Sequence, residues 1–406
     1  MAKKKVIAVV FGGRSVEHDV SVLTGLQFLE ALDPGKYEGL PVYIDPLGQW
    51  WTGDALANRK QYPIDTSANK NLTQLTLDLA TPANGQPRFF AFQKGLMGEK
   101  RTEITFDLIV PAIHGSNGED GTLQGLLEFA SIPFSGCRPL GAAATMDKVF
   151  TKRNVRTSGI NVLPELVLSR PPQGTFLNPE TIEANLKATF DGDPYPLIVK
   201  PCNLGSSVGV GKADNMDSLI AALMAAFRLD YEVIIEPFVT NLTEYNVAVR
   251  RDADGGIVSS AIERPLRNAE LLDFKNKYLA GGIPGGPKLD TGPSEGMASL
   301  NRTLNPDELS NEQEHFIRSS AETVFDMLSL AGSVRVDFLA NSETGEVWLN
   351  EVNTIPGSFA YFLWEAAAKP LSFLALTETI ISEGFELSAR RLGATDTKSG
   401  GATIFA

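Results

Sequence analysis

The sequence has little cysteine, which sets a first limit on its class. Its 406 residues include two cysteines, Cys137 and Cys202. Two thiols build no disulfide framework, and such low usage suits a reducing cytoplasm. Cys202 stands beside a glycine- and serine-rich loop, so a nucleophilic role is one interpretation. No histidine is near it in sequence, and a buried, inert thiol is the preferred interpretation.

The chain also lacks a long hydrophobic run and an excess of positive charge. No apolar stretch approaches the ~20 residues that a membrane helix needs. The opening MAKKKVIAVVFGG has a basic tip, but its apolar run is too short for a signal peptide, and it is read as a first strand. The net charge of −13 and the pI of about 4.9 argue against nucleic-acid binding. That charge is still compatible with a small anionic ligand held by a few local lysines and arginines.

What is present is the composition of a globular protein with several domains. Apolar residues make up 43% of the chain and charged residues 21%, as in soluble proteins. The length predicts two or three domains, and no internal repeat is visible. Residues 6–11 form an apolar run that ends at Gly12-Gly13, as a buried parallel strand ends at a ligand loop.

Strands and helices alternate up to about residue 140, which predicts a doubly wound α/β domain over residues 1–140. Its helices are predicted at 16–32 and 120–131, and its further strands at 40–45, 106–113 and 132–136. Residues 141–240, starting with a helix over 141–158, predict a small α+β domain. Residues 241–387 predict a third domain with hairpins at 244–266 and 334–353 and a helix at 311–330. A glycine- and proline-rich loop over 278–305 is interpreted as a mobile lid, and residues 388–406 as a flexible tail.

The second hairpin carries the clearest candidate metal site. Glu351 and Asn353 are two residues apart, so they share one face of a strand, and the hairpin can bring Asp337 opposite them. Three hard oxygen ligands suit Mg²⁺. Arg335 shares that face and is a candidate for stabilising a transferring phosphoryl group or an oxyanion. The alternative is a solvated polar face, but apolar neighbours place the opposite face in a core, which favours the metal.

Three further motifs are ambiguous when each is taken alone. KPCNLGSSVGVGK, at 200–212, offers backbone N–H groups, Ser206 and Ser207 to phosphate oxygens, but an ordinary glycine-rich hairpin fits it equally well. In HGSNGEDGTLQG, at 114–125, helix capping is a sufficient reason for the two acidic residues. FGGRSVEHDVS, at 11–21, is likewise a glycine loop followed by polar residues at the start of a helix. The preference of the first helical turn for such residues explains Glu17 and His18 as well as ligand binding does.

In combination and in this order, the motifs resemble the D-alanine–D-alanine ligase family of ATP-grasp enzymes over roughly residues 4–385. The matched stretches also include MDKVFTK, IIEPFV, EYNVAV, KNKYL and NEVNTIPG. The resemblance implies an ATP-grasp fold of three domains, in which two α+β domains hold ATP between them. It implies an ATP-dependent ligation of a carboxylate to an amine through an acyl phosphate, with release of ADP and phosphate, in peptidoglycan precursor synthesis.

The resemblance also assigns the nucleotide and metal positions. It implies two Mg²⁺ ions, for which Mn²⁺ is a conceivable substitute, on Asp337, Glu351 and Asn353. It places the phosphates on lysines, the adenine on the hinge that runs from residue 236 to 239, and the ribose on an acid. The matching ATP-binding residues are Lys148, Lys200, Ser206, Ser207, Glu236, Val239, Glu244 and Lys277.

On the amino-acid side, the resemblance implies a hydrogen-bonded set of Glu17, Ser206 and Tyr278 over the first D-alanine. Glu17 would take the ammonium group of that substrate. His114 matches a substrate-side histidine. The guanidinium of Arg335 and the backbone of Gly357 would hold the developing oxyanion.

The sequence departs from the family where the second amino acid should bind. Typical members have a Ser-His-Ser segment after the Asn-Thr-x-Pro-Gly run, and its last serine binds the acceptor carboxylate. Here Phe362 stands at that serine's position, and losing a donor to a charged group costs on the order of 1.5–3 kcal/mol. Three explanations stay open. Tyr361 or Ser358 supplies the hydroxyl, the acceptor is larger or less polar, or the aromatic run is core packing.

These observations leave three functional hypotheses. The first is a cytoplasmic D-alanine–D-alanine ligase that uses small-molecule substrates, and the resemblance implies the homodimer that is usual in the family. The second is a related ligase with another acceptor amino acid. The third is a nucleotide-binding sensor without turnover, which the complete set of Arg335, Asp337, Glu351 and Asn353 argues against.

Overall fold

The computed structural model describes residues 3–67, 69–80, 85–95, 98–266 and 302–394. Within these ranges the strands form three sheets, of seven, four and five strands. Most of the predicted lid, including Lys277 and Tyr278, lies outside the described residues. No helix among the described residues is long and apolar enough to cross a membrane.

The first sheet has a parallel centre, as the sequence predicted. Strand β1 (Lys5–Gly12) lies between β2 (Tyr37–Ile44) and β7 (Leu108–Pro111), parallel to both. Helix α1 (His18–Glu30) packs on β1, and α2 (Thr122–Phe129) follows β7. The predicted short strand at 132–136 contributes a single bridge, between Ile109 and Phe134.

An antiparallel meander that the sequence analysis did not predict widens this sheet beyond β2. Its strands pair in chain order, each with the one before it. The sheet is therefore mixed, with parallel strands at one side and antiparallel strands at the other. The four added strands are β3 (Trp50–Thr52), β4 (Thr73–Leu77), β5 (Arg88–Gly95) and β6 (Gly98–Thr105).

The prediction of one helix over 141–158 is wrong, because the chain forms α3 (Pro139–Met146) and α4 (Lys148–Thr157). Asp147 between them has extended backbone angles, and its carboxylate accepts the Phe150 N–H at 2.9 Å. This is N-capping, which starts a new helix at Lys148. The second sheet follows and is antiparallel throughout. Its elements are β8 (Leu166–Ser169), α5 (Pro179–Thr189), β9 (Leu197–Pro201), β10 (Gly211–Ala213), α6 (Met216–Ala226) and β11 (Glu232–Pro237).

The third sheet contains both predicted hairpins and is also antiparallel. Its strand β14 pairs with β13, so the end of the predicted 278–305 loop is a strand. The last helix continues to Ala394, so the tail predicted from residue 388 begins too early, and residues 395–406 lie outside the description. The elements are β12 (Leu242–Arg251), β13 (Ile257–Pro265), β14 (Arg302–Leu304), α7 (Asn311–Met327), β15 (Val334–Asn341), β16 (Val347–Asn353), α8 (Tyr361–Glu365) and α9 (Phe373–Ala394).

The boundaries of the hydrophobic cores differ from the boundaries of the three sheets. One core combines residues of β1, α1 and β7 with the aromatic run 359–364 and with α9. The second sheet instead has its own core, formed by residues of α5, α6 and its strands. The first sheet and the C-terminal elements therefore share apolar packing that the second sheet does not enter.

Candidate active site

The glycine turn after β1 brings Glu17 to the carboxyl end of the first sheet. Gly12 has φ +89°, and a Cβ there would collide with the carbonyl of Ile44. The Gly12 N–H donates to Ser21 Oγ at 2.7 Å, and that hydroxyl donates to the Ala112 carbonyl at 2.7 Å. Ser21 thereby ties the ends of β1 and β7 together. Only a residue without a side chain fits this turn, and the turn starts α1 at the edge of the sheet.

Glu17 contacts the loop of the second sheet instead of capping its own helix. It stands at the N-cap of α1 but makes no side-chain capping bond. Its buried carboxylate accepts a hydrogen bond from Ser206 Oγ. Ser206 and Ser207 have φ of 53° and 58°, so the loop between β9 and β10 turns its backbone at both residues. The structure thus joins two of the three members of the predicted Glu-Ser-Tyr set, and Tyr278 lies outside the described residues.

His114 lies at the end of β7 as predicted, buried against α1. Its Nε2 is 2.8 Å from Thr24 Oγ1, which also accepts the Ser358 N–H at 3.0 Å. Burial, and next the positive charge of Arg335, lower the pKa of His114 to about 3. The imidazole is therefore neutral at physiological pH. Thr24 links this histidine to the segment that follows Gly357.

Glu119 does not act as a helix cap, which corrects the simpler interpretation of that motif. Helix α2 is capped by Gly121, and the buried Glu119 carboxylate accepts the N–H groups of Gly115 at 2.9 Å and Ile355 at 2.8 Å. Burial, and next the negative charge of Glu17, raise its pKa to about 8. Glu119 therefore fastens the His114 loop to the loop that carries Gly357.

The second hairpin has the arrangement predicted for the metal site. Asp337 pairs with Glu351 across the two strands, and Arg335 pairs with Asn353. Asn353 Nδ2 donates to Asp337 Oδ2 at 3.0 Å. Among the described residues, no three histidine, cysteine, aspartate or glutamate side chains are grouped to hold a metal ion. This trio instead offers two carboxylates and one amide, which are oxygen ligands of the type that Mg²⁺ prefers.

Arg335 forms a two-pronged ion pair with Asp337. Its Nε lies 2.6 Å from Oδ1 and its Nη2 2.7 Å from Oδ2. The side chains are 14% and 13% exposed, so the pair is only partly shielded from solvent. A planar guanidinium matches a carboxylate or phosphate in this forked geometry, which a lysine cannot reproduce.

Three lysines lie close to the carboxylates of Glu351 and Glu236. Lys148 Nζ donates to the Leu204 carbonyl at 2.6 Å and lies 3.4 Å from Glu351 Oε2. Lys200 Nζ lies 2.7 Å from Glu236 Oε2 and 3.0 Å from Asn350 Oδ1.

The third lysine, Lys152, is one that the sequence analysis did not assign. It contacts Glu236 Oε1, and the two side chains are 2% and 1% exposed. Burial, and next the charge of Lys200, lower the pKa of Lys152 below its ordinary value. The negative charge of Glu165 opposes that shift.

A small cavity joins parts of all three sheets. On one side it is lined by Glu17 and the two loops that face it, and on the other by the end of the second hairpin. The lining residues are Glu17, Gly115, Glu119, Thr145, Met146, Lys148, Leu204, Gly205, Glu351, Val352, Asn353 and Thr354. The cavity therefore brings candidate substrate, nucleotide and metal residues together from distant parts of the chain.

Two predicted nucleotide-binding residues, Val239 and Glu244, do not line this cavity. Val239 is partly buried just beyond β11, where the Phe238 N–H donates to the Pro196 carbonyl at 3.0 Å. Glu244 lies in β12 opposite Leu339, also partly buried. Their contacts with a nucleotide stay predictions.

The aromatic run after Gly357 is buried throughout. Ser358, Phe359 and Ala360 have φ of 53°, 53° and 54°, a short left-handed turn of non-glycine residues. Such residues are costly, on the order of 1 kcal/mol or more each, and need outside support. Here Ser358 Oγ donates to Gln27 of α1, and Ser333 Oγ donates to the Phe359 carbonyl at 2.8 Å.

The rings of this run pack on one another and on charged neighbours. Tyr361 stacks on Phe373 with centroids 4.4 Å apart. The Arg302 guanidinium lies 3.8 Å from the centroid of the Phe362 ring. It also pairs with Glu263 at 2.9 Å. Of the three explanations for the aromatic run, this packing supports the one in which the rings form part of the core. A contact of Tyr361 or Phe362 with an acceptor stays a prediction.

Replacing the Phe362 ring tests this packing. We expect Phe362→Ser to lower the free energy of unfolding by about 3–5 kcal/mol, because it leaves a cavity in the core. The midpoint of urea unfolding would measure the loss. Phe176→Ser is the matched control, since that ring is 93% exposed. Unchanged stability of Phe362→Ser would argue against a core role and for an acceptor pocket.

The prediction that the Cys202 thiol is buried is confirmed. Both cysteines are free and buried. Cys202 packs with Val149 and Ile234. Burial, and next the charge of Asp230, raise its pKa to about 12. Its thiol is therefore protonated at neutral pH and is a poor nucleophile.

Comparison with known families identifies two matches that together cover most of the chain. Residues 6–137 match the family described as "D-ala D-ala ligase N-terminus". Residues 155–382 match that described as "D-ala D-ala ligase C-terminus". The boundary between the two matches falls where the first sheet gives way to α3 and α4.

Individual relatives are similar in sequence to this chain over nearly their whole length. The D-alanine–D-alanine ligase of Thermosipho africanus is 31% identical over 381 residues, 94% of this chain and 93% of that protein. That of Ruminiclostridium cellulolyticum is 33% identical over 391 residues, 95% and 96% of the two chains. Among solved structures, the D-alanine–D-alanine ligase of Coxiella burnetii superimposes with a TM-score of 0.72 at 25% identity. The match covers 98% of this chain and 99% of that chain. The D-Ala:D-Ser ligase VanG of Enterococcus faecalis gives a TM-score of 0.68 at 27% identity. That match covers 94% of this chain and 100% of that chain.

Proposed function

Because this chain belongs to the D-alanine–D-alanine ligase family, we propose that it joins two D-alanine molecules in an ATP-dependent reaction. The product, D-alanyl-D-alanine, would serve peptidoglycan precursor synthesis. The observation that carries this proposal is the shared cavity. There Glu17, the serine loop at Gly205 and the hairpin residues Glu351 and Asn353 meet. Each of these is a position that the reaction needs.

The reaction begins when the carboxylate of the first D-alanine attacks the γ-phosphorus of ATP. An acyl phosphate forms and ADP leaves. The amine of the second D-alanine then attacks the acyl carbon, and the tetrahedral intermediate expels phosphate. Separate activation of the carboxylate gives the amine a good leaving group to displace.

Residues at the cavity suit the amino-acid half of this reaction. Glu17, fixed by Ser206, offers a buried carboxylate to the ammonium group of the first substrate. The neutral His114 lies at the adjacent strand end. Arg335 and the N–H of Gly357 would stabilise the oxyanion of the tetrahedral intermediate. Tyr278 would complete the Glu17–Ser206 pair from the lid.

The nucleotide half uses the lysines and the hinge. Lys148 and Lys200 would contact the phosphates, with Ser206 and Ser207 of the same loop, and Lys277 would join them from the lid. In the hinge, Glu236 and Val239 would hold the adenine, and Glu244 the ribose. Asp337, Glu351 and Asn353 would hold two Mg²⁺ ions, which would neutralise charge on the transferring phosphoryl group.

A second candidate function is ligation to an acceptor other than D-alanine. Phe362 stands where a serine would bind the acceptor carboxylate, and its ring cannot donate a hydrogen bond. A balanced ion pair, Arg302 with Glu263, lies directly beside it. One structural relative is named for a D-Ala:D-Ser reaction, so the acceptor differs among proteins with this fold.

Further features belong to the proposal as a whole. We propose three domains, at residues 1–140, 141–240 and 241–387, a homodimer, and a cytoplasmic site of action. Sedimentation of the purified protein would test the dimer. A sedimentation coefficient that fits a single chain at micromolar concentration would contradict it.

The reaction can be tested directly with the purified protein. We expect phosphate release from ATP and Mg²⁺ when D-alanine is added, together with the mass of D-alanyl-D-alanine in the product. A panel of second amino acids, with L-alanine as the stereochemical control, would identify the acceptor. Weak turnover with D-alanine alone, rescued by another acceptor, would favour the second candidate. Nucleotide binding without phosphate release for any acceptor would contradict both ligase proposals.

A further inference from the structure

The buried carboxylate of Glu236 faces two ammonium groups at the end of β11. Lys152 Nζ contacts its Oε1, and Lys200 Nζ lies 2.7 Å from its Oε2. Glu236 is 1% exposed, so neither interaction is weakened by free access of water. Two lysine side chains therefore share one buried carboxylate.

The two lysines differ in their surroundings. Lys152 is 2% exposed on α4, and its Nζ also lies 3.4 Å from the Leu163 carbonyl. Lys200 is 12% exposed on β9, and its Nζ also contacts Asn350, the neighbour of Glu351. Lys200 therefore borders the cleft towards the candidate metal site, whereas Lys152 lies behind Glu236, away from it.

This difference matters when a phosphate group enters the cleft. If Lys200 were the sole counterion of Glu236, moving it to a phosphate would leave a buried carboxylate without a partner, which is strongly unfavourable. With Lys152 in contact, Glu236 stays paired. This holds for an ammonium–carboxylate pair and equally for an amine–carboxylic acid pair, since both share one proton.

We propose that Lys152 is the fixed partner of Glu236 and thereby allows Lys200 to move to a phosphate of ATP. The inference rests on the proposed function, because it takes ATP as the substrate. Lys152 is a positioning residue: it contacts neither nucleotide nor amino acid and acts through Glu236. Its second effect is to hold the Glu236 carboxylate in one orientation at the hinge.

The variant Lys152→Met tests the proposal, since it keeps the length of the side chain and removes its charge. We expect the dissociation constant of a non-hydrolysable ATP analogue with Mg²⁺ to rise roughly 10- to 100-fold, measured by calorimetry. The KM for ATP should rise in parallel. The kcat at saturating ATP should change by less than about threefold, because the loss concerns binding and not the transition state.

A second substitution separates charge balance from packing. In Lys152→Met/Glu236→Gln the neutral amide needs no counterion, so Lys200 is again available to the phosphate. We expect this double variant to bind the analogue within about threefold of Glu236→Gln alone. A packing defect at position 152 would not be repaired by a change at position 236. The matched control is Lys187→Met, which breaks a pair with Glu183 at 2.7 Å on the surface and should leave binding unchanged.

The outcomes separate this inference from the proposed function. Analogue binding by Lys152→Met at the wild-type level, or no recovery in the double variant, overturns the role of Lys152. If Lys152→Met does not fold, the double variant decides, because it contains no unpaired buried charge. A double variant that binds much more weakly than Glu236→Gln then overturns the proposal. Wild-type protein that binds the analogue but forms no dipeptide contradicts the ligase function alone, and the binding comparison at Lys152 still holds.

Discussion

Glu351→Gln is expected to reduce phosphate release from ATP in the presence of D-alanine by roughly 1,000-fold or more. The change replaces a carboxylate of the candidate metal site by a weaker neutral ligand, and bound divalent ions contribute several kcal/mol to transition-state charge stabilisation. It also removes the partner of Lys148, which lies 3.4 Å away. The measurement is steady-state phosphate release over a range of Mg²⁺ concentrations. The variant should require much more Mg²⁺ than the wild type.

Glu346→Gln is the matched control for this prediction. Glu346 lies at the turn of the same hairpin, is exposed, and contacts Thr344 at 3.0 Å. Its substitution should leave both the rate and the Mg²⁺ requirement unchanged. Full activity of Glu351→Gln at ordinary Mg²⁺ concentrations would rule out the metal assignment of that residue.

Arg335→Lys is expected to lower kcat by roughly 100- to 1,000-fold, the usual effect of removing one oxyanion donor. The positive charge remains, but the forked pair of N–H groups is lost. A guanidinium carries five N–H donors, so Arg335 can hold Asp337 through Nε and Nη2 and also donate to an oxyanion. A lysine would contact one oxygen at a time and would release Asp337 from its fixed orientation.

Kinetics distinguish this role from simple substrate binding. An interaction made mainly in the transition state lowers kcat with little change in the KM for ATP. Arg251→Lys serves as the control, since Arg251 lies on the same sheet and pairs with the exposed Asp326 at 3.2 Å. Unchanged kcat in Arg335→Lys would remove Arg335 from the proposed mechanism.

Part of the candidate metal site was predictable from sequence, because the alternation of side chains along a strand is a local property. Side chains alternate between faces, so Arg335 with Asp337, and Glu351 with Asn353, had to point the same way. The turn residues between the strands then set which residues face each other. Continuing the register of the turn would place Asp337 opposite Asn350. A β-bulge between Asp337 and Phe338 shifts the pairing to Glu351, and the sequence pattern did not predict that bulge.

Other site residues carried weaker signals. Lys152 lies one helical turn after Lys148 in MDKVFTK, and that spacing places the two on one face of a helix. Its burial could not be known without the position of Glu236, 84 residues later in the chain. Thr24 had no signal at all, since its role depends on contacts with His114 and Ser358 from remote segments.

The missed elements have identifiable physical causes. The break between α3 and α4 depends on one capping residue, Asp147, inside an otherwise continuous helical pattern. The C-terminal helix was predicted to end too early because its last turns are polar. Arginine, alanine and leucine in these turns are nevertheless good helix formers. The antiparallel meander lies at one side of the first sheet, where pairing with neighbouring strands contributes more than local propensity does.

The separate core of the second sheet has a mechanical consequence. The first sheet, the aromatic run and α9 share one packed interior, so they resist displacement against each other as a single block would. The second sheet carries Lys200, Ser206 and Glu236 on an interior of its own. Polar contacts, such as that of Ser206 with Glu17, join this sheet to the rest of the described residues. A displacement of the second sheet against the rest would therefore break polar contacts, such as that of Lys200 with Asn350, and would leave both of these apolar interiors intact.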